Sequence, residues 1–180
     1  MDQPSPWVVR FAPLIPPGEV LDLACGSGRH ARLLAALGHP VLAVDRDEAA
    51  LASARGAGIE TLCFDLERGE PWPFAPRRFA GIVVTNYLHR PLFPGLLESI
   101  APGGMLIYET FAAGNERFGR PARAEFLLGR GELLDLLRAA DWQVAAFEDG
   151  QVSHPRPAVI QRICALRRPA AASEWAELET

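Results

Sequence analysis

The amino-acid sequence predicts an α/β fold in which helices cover both faces of one open, mostly parallel sheet. Three observations indicate this class. Short apolar runs alternate with amphipathic segments, several of the runs end at glycines or acids, and the last two runs are joined without a helical pattern. Alternation of this kind is typical of parallel sheets with helical crossovers, whereas a helix-free connection favours an antiparallel pair. We therefore expect about seven strands closed by a hairpin.

The first third of the chain predicts helices and strands in strict alternation. Ser5 can cap the amino end of a first helix, and Pro6 suits its first position. The apolar runs are short enough for buried parallel strands, and the segments between them have helical apolar spacing. In chain order the segments are SPWVVRF (helix), EVLDLAC (strand), GRHARLLAALGH (helix), PVLAVDRD (strand), DEAALASARGAG (helix) and IETLCFDLE (strand).

The rest of the chain continues this alternation with two long interruptions. Three prolines predict a loop over RGEPWPFAPRRF, and a second, polar loop is expected over AAGNERFGRPARAEFLLG. The remaining segments are AGIVVTNYLHR (strand), a helix from about Pro94 to Ile100, APGG (turn), MLIYETF (strand), RGELLDLLRAADW (helix), QVAAFEDG (strand) and AVIQRICALRR (strand).

Length and composition favour a single domain. The 180 residues are 49% hydrophobic, which allows a sizeable core. We expect the domain to span residues 1–168, with residues 1–18 as an amino-terminal lid or helix segment and residues 169–180 as a mobile tail. The proline-broken start has no signal-peptide pattern, and no apolar run reaches the roughly 20 residues of a membrane span.

Charge and cysteine usage narrow the function classes. A formal net charge of −4 gives no general basic field, which argues against nucleic acid as the partner. Cys25, Cys63 and Cys164 are odd in number and far apart, so they predict reduced thiols and neither disulfides nor a metal site. We expect a cytoplasmic enzyme or binding domain, and the sequence leaves monomer and homodimer open.

The stretch VLDLACGSGRH joins an apolar run to a glycine-rich loop that is suited to holding a ligand. Gly26 and Gly28 permit a tight turn and let a ligand approach the backbone closely. GSGRHA also fits the dinucleotide pattern G-x-G-x-x-G/A, and Asp45 has the spacing of a ribose-binding acid. A nicotinamide-dependent oxidoreductase is therefore one interpretation of the loop.

Acids at the ends of three predicted strands favour a different ligand. Asp22 lies inside an apolar strand, where it needs a partner because burying a carboxylate costs several kcal/mol. Asp45 and Asp65 follow the next two strands. Carboxylates at these places suit a ligand with hydroxyls, an amine donor and positive charge better than a pyrophosphate.

The stretch VLDLACGSGRHARLLAALGHPVLAVDRD resembles the cofactor half of the class I S-adenosylmethionine-dependent methyltransferases, and Asp65 and APGGMLIYET fall in that family's order. The resemblance covers residues 7–168, with Ala24 in place of the family's usual glycine. It implies a Rossmann-like sheet in the order 3-2-1-4-5-7-6 with strand 7 antiparallel. It also implies S-adenosylmethionine as cofactor, with S-adenosylhomocysteine as its product.

The same resemblance implies a set of cofactor-binding residues. His30 is a further candidate for the methionine carboxylate. Phe64 is a further candidate beside Leu66 for the adenine ring, with core packing as the alternative for both. A later stretch, NYLHRPLFPGLLESIAPGGMLIYETFAAGNERFGRP, is similar to small bacterial methyltransferases of the tellurite-resistance type, which implies a small-molecule or metalloid acceptor. The implied cofactor-binding residues are Asp22, Ala24, Cys25, Gly26, Gly28, Arg29, Asp45, Arg46, Asp65, Leu66 and Asn86.

The methyl acceptor is expected beyond the fourth and fifth strands. Methyl transfer from a sulfonium requires alignment, and it requires a general base only where the acceptor atom carries a proton. His89 and Tyr87 are the candidate catalytic residues, with local capping by the histidine as the alternative. A non-catalytic S-adenosylmethionine-binding protein also fits. The candidate acceptor-binding residues are Arg90, Glu109, Asn115 and Arg117, with ion pairs to glutamates as the alternative for both arginines.

Overall fold

The computed structural model describes residues 3–69, 72–138 and 141–169. Its strands form one sheet of seven in the order β3-β2-β1-β4-β5-β7-β6. The strands are β1 (Val20–Leu23), β2 (Val41–Asp45), β3 (Ile59–Cys63), β4 (Phe79–Thr85), β5 (Ile100–Phe111), β6 (Trp142–Val152) and β7 (Ala158–Arg167). The α-helices are α1 (Pro6–Phe11), α2 (Arg29–Ala36), α3 (Glu48–Ala54), α4 (Phe93–Glu98) and α5 (Glu132–Leu136).

The strand directions indicate that a ligand binds at the carboxyl edge of the sheet, where the parallel strands end. The first five strands run parallel, and β7 runs antiparallel to both β5 and β6. The predicted strand order and closing hairpin are therefore confirmed. The chain builds outward from β1 to β3 and then returns to place β4 on the other side of β1. Such a reversal opens a crevice beyond the carboxyl ends of the strands.

Helices cover both faces of the sheet, as predicted. On one face α1, α2 and α3 bury Trp7, Leu34 and Leu51 in one apolar cluster. On the other face α4 and α5 bury Leu96 and Leu133 in a second cluster. Burial from both sides explains why the apolar runs of the inner strands are nearly continuous.

The start of α1 has the predicted cap. The Ser5 hydroxyl accepts a hydrogen bond from the Trp7 backbone N–H at 3.1 Å, and Pro6 occupies the first helical position. This satisfies one of the amide donors that a helix start leaves without a partner. The cap therefore fixes where the amino-terminal segment enters the fold.

One expectation around β5 is wrong. The turn predicted at APGG lies within β5, which begins at Ile100 with a register irregularity opposite Phe79. Gly104 allows this, because a Cβ there would come within 2.9 Å of the Ala80 carbonyl oxygen. The helix expected from about Pro94 to Ile100 is present as Phe93–Glu98, and Ile100 already belongs to β5.

Parts of the predicted domain division lie outside the described residues. The tail from residue 170 onward and the first two residues are among them, so the expectations of a mobile tail and of these domain limits stay predictions. Within the described ranges, no helix is long and apolar enough to cross a membrane.

Candidate functional site

A crevice opens at the carboxyl edge of the sheet, where β1 to β4 end. It consists of two clefts of about 250 and 510 Å³ that share Arg46, Phe64 and Asp65. Six of the predicted cofactor-binding residues lie together along the smaller cleft. The smaller cleft is lined by Ala24, Asp45, Arg46, Phe64, Asp65, Leu66, Glu67, Asn86 and Tyr87, and the larger one adds Asp47, Cys63 and Arg68.

Asp45 at the end of β2 holds the glycine loop that follows β1. Its Oδ2 accepts a hydrogen bond from the Gly26 backbone N–H at 2.8 Å, and its Oδ1 accepts one from the Asp47 N–H at 2.9 Å. Each carboxylate oxygen has a second lone pair that can accept from a ligand hydroxyl. Asp45 can therefore shape the loop and bind a diol at the same time.

The backbone of the loop is left-handed at three positions. The φ angles are 54° at Ala24, 55° at Gly26 and 76° at Gly28. A Cβ at Gly28 would come within 2.4 Å of the Ala54 Cβ, so this glycine lets the loop pack on α3. A Cβ at Gly26 would meet nothing within 4 Å. The loop is therefore packed on protein at Gly28 and has open space beside Gly26.

Asp22, in β1 just before the loop, is an acid with an unused acceptor. It is 1% exposed, and its Oδ2 has no hydrogen-bond partner within the described ranges. Burial raises the pKa of Asp22 to about 7, against the lowering effects of the Ala31 backbone N–H and of Arg29. Burial, with Asp22 and Asp45 nearby, likewise raises the pKa of the Cys25 thiol. A cation placed beside the loop would offset this accumulation of acids.

Asp65 follows β3 at the other side of the crevice. It accepts hydrogen bonds from the Glu67 backbone N–H at 3.0 Å and from Arg68 Nε at 3.4 Å. The Glu67 amide, followed by the Arg68 side chain, holds the pKa of Asp65 below its usual range. Beside it, Leu66 is buried and Phe64 is half-buried against the core. This corner offers a carboxylate next to apolar surface.

The residues that follow β4 line the smaller cleft. Asn86 has a left-handed backbone with φ 55°, and its N–H donates to the Glu109 carbonyl at 2.9 Å. The Tyr87 hydroxyl is buried without a hydrogen-bond partner among the residues described here. Burial, followed by the charge of Glu67, raises the pKa of Tyr87 well above its usual range. Tyr87 is thus suited to donating a hydrogen bond and unsuited to acting as a base.

Four further residues line the crevice that the sequence pattern does not predict as site residues: Asp47, Cys63, Glu67 and Arg68. Each lies within a few residues of a predicted strand end. Exposed polar residues are common at such places, so the sequence carries no signal that would separate these four from ordinary loop residues.

His30 has a structural contact in place of the predicted one with a methionine carboxylate. It is 1% exposed, its Nε2 accepts a hydrogen bond from the Ser5 backbone N–H at 3.0 Å, and Thr85 Oγ1 lies 3.3 Å from its Nδ1. Burial, with Arg29 nearby, lowers the pKa of His30 to about 3. Arg29 Nη1 donates to the Gln3 carbonyl at 3.4 Å. His30 therefore anchors the amino-terminal segment to the end of β4.

Arg90 is also engaged within the protein. Its Nε and Nη2 donate to the two carboxylate oxygens of Glu132 at 2.7 and 2.9 Å. Its remaining donors reach the carbonyls of Glu125 and Leu127 at 2.9 and 2.8 Å. We therefore replace its predicted role in acceptor binding with a structural one, and the alternative expectation of an ion pair with a glutamate is confirmed for this residue.

Asn115 fastens the loop after β5 to the start of β7. The side chain is 2% exposed, its amide donates to the Pro121 carbonyl at 2.9 Å, and its Oδ1 accepts from the Val159 N–H at 3.2 Å. These contacts use the amide nitrogen and oxygen that were expected to bind an acceptor. Asn115 is therefore a structural residue of this loop.

Glu109 joins the end of β5 to α1 and β7. It accepts from the Ser5 hydroxyl at 2.7 Å and pairs with Arg162 at 3.2 Å. The guanidinium of Arg162 in turn lies 4.7 Å from the centre of the Trp7 ring. The carboxylate that was predicted to bind the acceptor is therefore partly neutralised inside the fold.

Arg117 and His89 keep groups available to a ligand. Arg117 is exposed, donates through Nε to the Gly114 carbonyl at 3.1 Å, and has no acidic partner in the described part of the chain. The half-buried His89 side chain makes no hydrogen bond to any residue that the structure describes. Both therefore stay candidates for the acceptor side.

Residues 20–104, from the first residue of β1 into β5, match a family model described as a methyltransferase domain. This range contains the glycine loop, Asp22, Asp45 and Asp65. Residues 20–104, just under half of the chain, are therefore similar to the methyltransferase-domain family.

Curated methyltransferases are also similar to part of this chain. Trans-aconitate 2-methyltransferase of Methylobacterium radiotolerans is 32% identical over 112 residues, which are 58% of this chain and 42% of that relative. The chain therefore covers less than half the length of this curated methyltransferase.

Solved structures show the same methyltransferase fold. TehB from Haemophilus influenzae has a TM-score of 0.73 at 21% identity, over 89% of this chain and 61% of TehB. The 1,6-didemethyltoxoflavin-N1-methyltransferase of Burkholderia thailandensis, solved with S-adenosylhomocysteine bound, has a TM-score of 0.63 at 21% identity, over 90% and 76% of the two chains.

Proposed function

We propose that the chain is a methyltransferase that moves the methyl group of S-adenosylmethionine to a small-molecule acceptor. The observation that carries this proposal is the unpartnered Oδ2 of Asp22, buried just before a glycine loop that opens on the crevice. A buried carboxylate without a partner is costly, and a cationic ligand at this loop would offset that cost.

The residues around the crevice fit the parts of this cofactor. Asp45 would accept from the ribose hydroxyls, and Asp65 from the adenine amine beside Leu66. The loop backbone from Ala24 to Gly28 would face the methionine part, where Asp22 supplies negative charge. When bound, S-adenosylmethionine supplies a methyl group on a sulfonium whose leaving group is a neutral thioether.

The chain's own contribution is binding, orientation and exclusion of water. The acceptor must approach in line, so that its lone pair forms the bond to the methyl carbon as the bond from carbon to sulfur breaks and its electron pair passes to sulfur. Tyr87 keeps its proton, because its pKa is raised, and can therefore orient a group by donation. Where the acceptor atom carries a proton, His89 is the base that we propose.

The comparisons support a small acceptor. The names of two similar proteins specify trans-aconitate and 1,6-didemethyltoxoflavin, both small molecules. The nicotinamide interpretation of the loop is not favoured, because the diphosphate of a dinucleotide would lie near Asp22 and Asp45. A cytoplasmic location and the choice between monomer and homodimer stay predictions.

The test is the formation of S-adenosylhomocysteine by the purified full chain. We expect its formation from S-adenosylmethionine when a small-molecule extract is added and not before. The Asp45→Ala variant should lose this activity at low cofactor concentration, and Glu48→Gln, which removes an exposed charge from α3, should retain it. A wild-type chain that binds S-adenosylhomocysteine but forms none with any fraction would instead be a binding protein. A chain that does not bind it would contradict the cofactor.

A further inference from the structure

Five arginines lie on two segments beyond the ends of β5 and β6, on the side where the methyl acceptor is expected. Four lie on the loop from residue 112 to 131, after β5, and one lies in the turn from 153 to 157, between β6 and β7. We call them the arginine rim. Its members are Arg117, Arg120, Arg123, Arg130 and Arg156.

The two segments meet at the same edge of the sheet as the crevice. Because β4 and β5 are parallel, the loop after β5 lies at their common carboxyl edge. Because β7 is antiparallel to β5, it starts at that edge, with Ile160 opposite Phe111. Arg90, four residues after Asn86 in the crevice wall, donates to the carbonyls of Glu125 and Leu127 in the rim loop. The rim therefore adjoins the cofactor crevice.

The charge of these segments is opposite to that of the chain. The loop has four arginines against two glutamates and the turn adds Arg156, so together they are net +3, whereas the whole chain is −4. Both glutamates are already engaged, since Glu116 accepts from the Gly114 N–H and Glu125 pairs with Arg123. Positive charge is thus concentrated where the acceptor is expected.

Most rim arginines have no internal acid to neutralise them. In the described ranges, Arg120, Arg130 and Arg156 make no ion pair or hydrogen bond to protein. Arg117 has only the Gly114 carbonyl as a hydrogen-bond partner. Arg90, by contrast, is paired with Glu132. The guanidinium groups of the rim are therefore available to a ligand.

Aromatic rings hold three of the guanidinium groups in place. Arg117 lies 5.6 Å from the centre of the Phe118 ring, and Arg156 lies 5.9 Å from that of Phe111. The third, Arg123, lies 5.1 Å from the Phe126 ring. A guanidinium stacked on a ring keeps the N–H groups of its edge free and loses less entropy when it binds a planar anion.

The backbone beneath the rim is itself anchored. Asn115 is buried and bonds to both Pro121 and Val159, which fixes the rim loop to the start of β7. A bridge between Ala112 and Leu128 closes the same loop at its base. The rim therefore has a defined shape near the crevice.

We propose that the acceptor is a small anion whose carboxylate or phosphate groups are bound by the arginine rim, with Arg120 and Arg156 as specificity-determining residues. This rests on the proposed methyltransferase function. Guanidinium edges match the geometry of carboxylate and phosphate oxygens. The rim holds the anion, and the crevice holds the cofactor, so that the acceptor atom faces the methyl group. A nucleic acid would use the same chemistry, and the net charge of the chain disfavours it.

The test is calorimetric titration of the full chain after saturation with S-adenosylhomocysteine. The probes are tricarballylate, inorganic phosphate, the neutral triamide of tricarballylate and a short single-stranded RNA. The double variant Arg120→Gln/Arg156→Gln removes one free and one ring-stacked guanidinium. Its matched control is Arg10→Gln/Arg55→Gln, because Arg10 lies 4.9 Å from the Phe11 ring centre and Arg55 is exposed at the end of α3.

We expect one or both small anions to bind, the triamide not to bind, and the double variant to bind about tenfold more weakly or worse. The control should bind as the wild type does, and added salt should weaken binding. Preference for tricarballylate would indicate a carboxylate acceptor, and preference for phosphate a phosphorylated one. Binding by neither anion, equal loss in the control, or tighter binding of RNA would overturn the proposal. Failure to saturate with S-adenosylhomocysteine would instead contradict the proposed function.

Discussion

The Asp45 carboxylate accepts the Gly26 backbone N–H at 2.8 Å, so an acid at the end of one strand shapes the loop that follows its neighbour. The two strands are paired in register, with Leu23 of β1 opposite Val44 of β2. This pairing places Asp45 directly beside the loop. The residue that was predicted to bind ribose is therefore also part of the loop's own structure.

Replacing Asp45 with alanine should weaken binding of S-adenosylhomocysteine by about 1–3 kcal/mol, the range for hydrogen bonds to charged groups. The protein should remain folded, because the Gly26 N–H is only partly buried and can bind water. Calorimetric titration measures the affinity, and circular dichroism checks the fold. Asp45→Asn, which keeps an acceptor oxygen for Gly26, separates loop shape from charge. An unchanged affinity in folded Asp45→Ala would show that the ribose lies elsewhere.

Asp22 should make the stability of the ligand-free protein fall as pH rises. Its pKa increases from its ordinary value of 3.8 to about 7 on folding, so the folded chain binds more protons between these pH values. The stabilisation that this shift gives the folded state is therefore complete below about pH 4 and is lost as pH rises through 7. Each unit of the pKa shift changes the free energy of unfolding by about 1.4 kcal/mol. Urea unfolding at about pH 5 and about pH 8 measures the change.

The Asp22→Asn variant is the control for this pH dependence. Its free energy of unfolding should not show the fall with rising pH that Asp22 causes, so the variant should be more stable than the wild type at about pH 8. It should also bind S-adenosylhomocysteine more weakly, because the ligand's ammonium loses a carboxylate. If the stability of both proteins changed with pH in the same way, Asp22 would not be the cause. Any pH effect of His30 is common to both proteins and cancels in this comparison.

Ala24→Gly should stabilise the protein by about 1 kcal/mol. Ala24 has φ 54°, a left-handed conformation that costs a non-glycine residue about 1–2 kcal/mol. Glycine removes this strain, but it makes the unfolded chain more flexible, which offsets part of the stabilisation. Ala52→Gly, at an exposed position in α3, should instead destabilise it by about 1 kcal/mol. Urea unfolding measures both. Effects of the same sign would show that the left-handed strain at Ala24 is absent.

His30→Ala should loosen the amino-terminal segment. The Ser5 N–H loses the Nε2 acceptor at 3.0 Å, and an unsatisfied buried donor costs about 1–3 kcal/mol. Tryptic cleavage after Arg10, in α1, should become faster. His39→Ala is the comparison, because His39 is also buried but bonds to the Gly18 carbonyl. Equal acceleration in the two variants would indicate general destabilisation and no specific anchor.

The local features of this chain could be predicted from the sequence because they depend on nearby residues. The Ser5 cap, the glycine loop and the acids after β1, β2 and β3 are all set by neighbouring positions. The uses of Arg90 and Asn115 could not be predicted in this way. Arg90 bonds to Glu132, 42 residues away, and Asn115 to Val159, 44 residues away. Such partners are decided by how the loop after β5 folds back on the sheet.

The most direct test of the proposed cofactor is calorimetric titration of the purified wild-type chain with S-adenosylhomocysteine and, separately, with NADH and NADPH. We expect micromolar binding of S-adenosylhomocysteine, about −8 kcal/mol, and no binding of either nicotinamide. Binding of a nicotinamide alone would contradict the proposed cofactor, and Asp22 and Asp45 would then lie near a diphosphate.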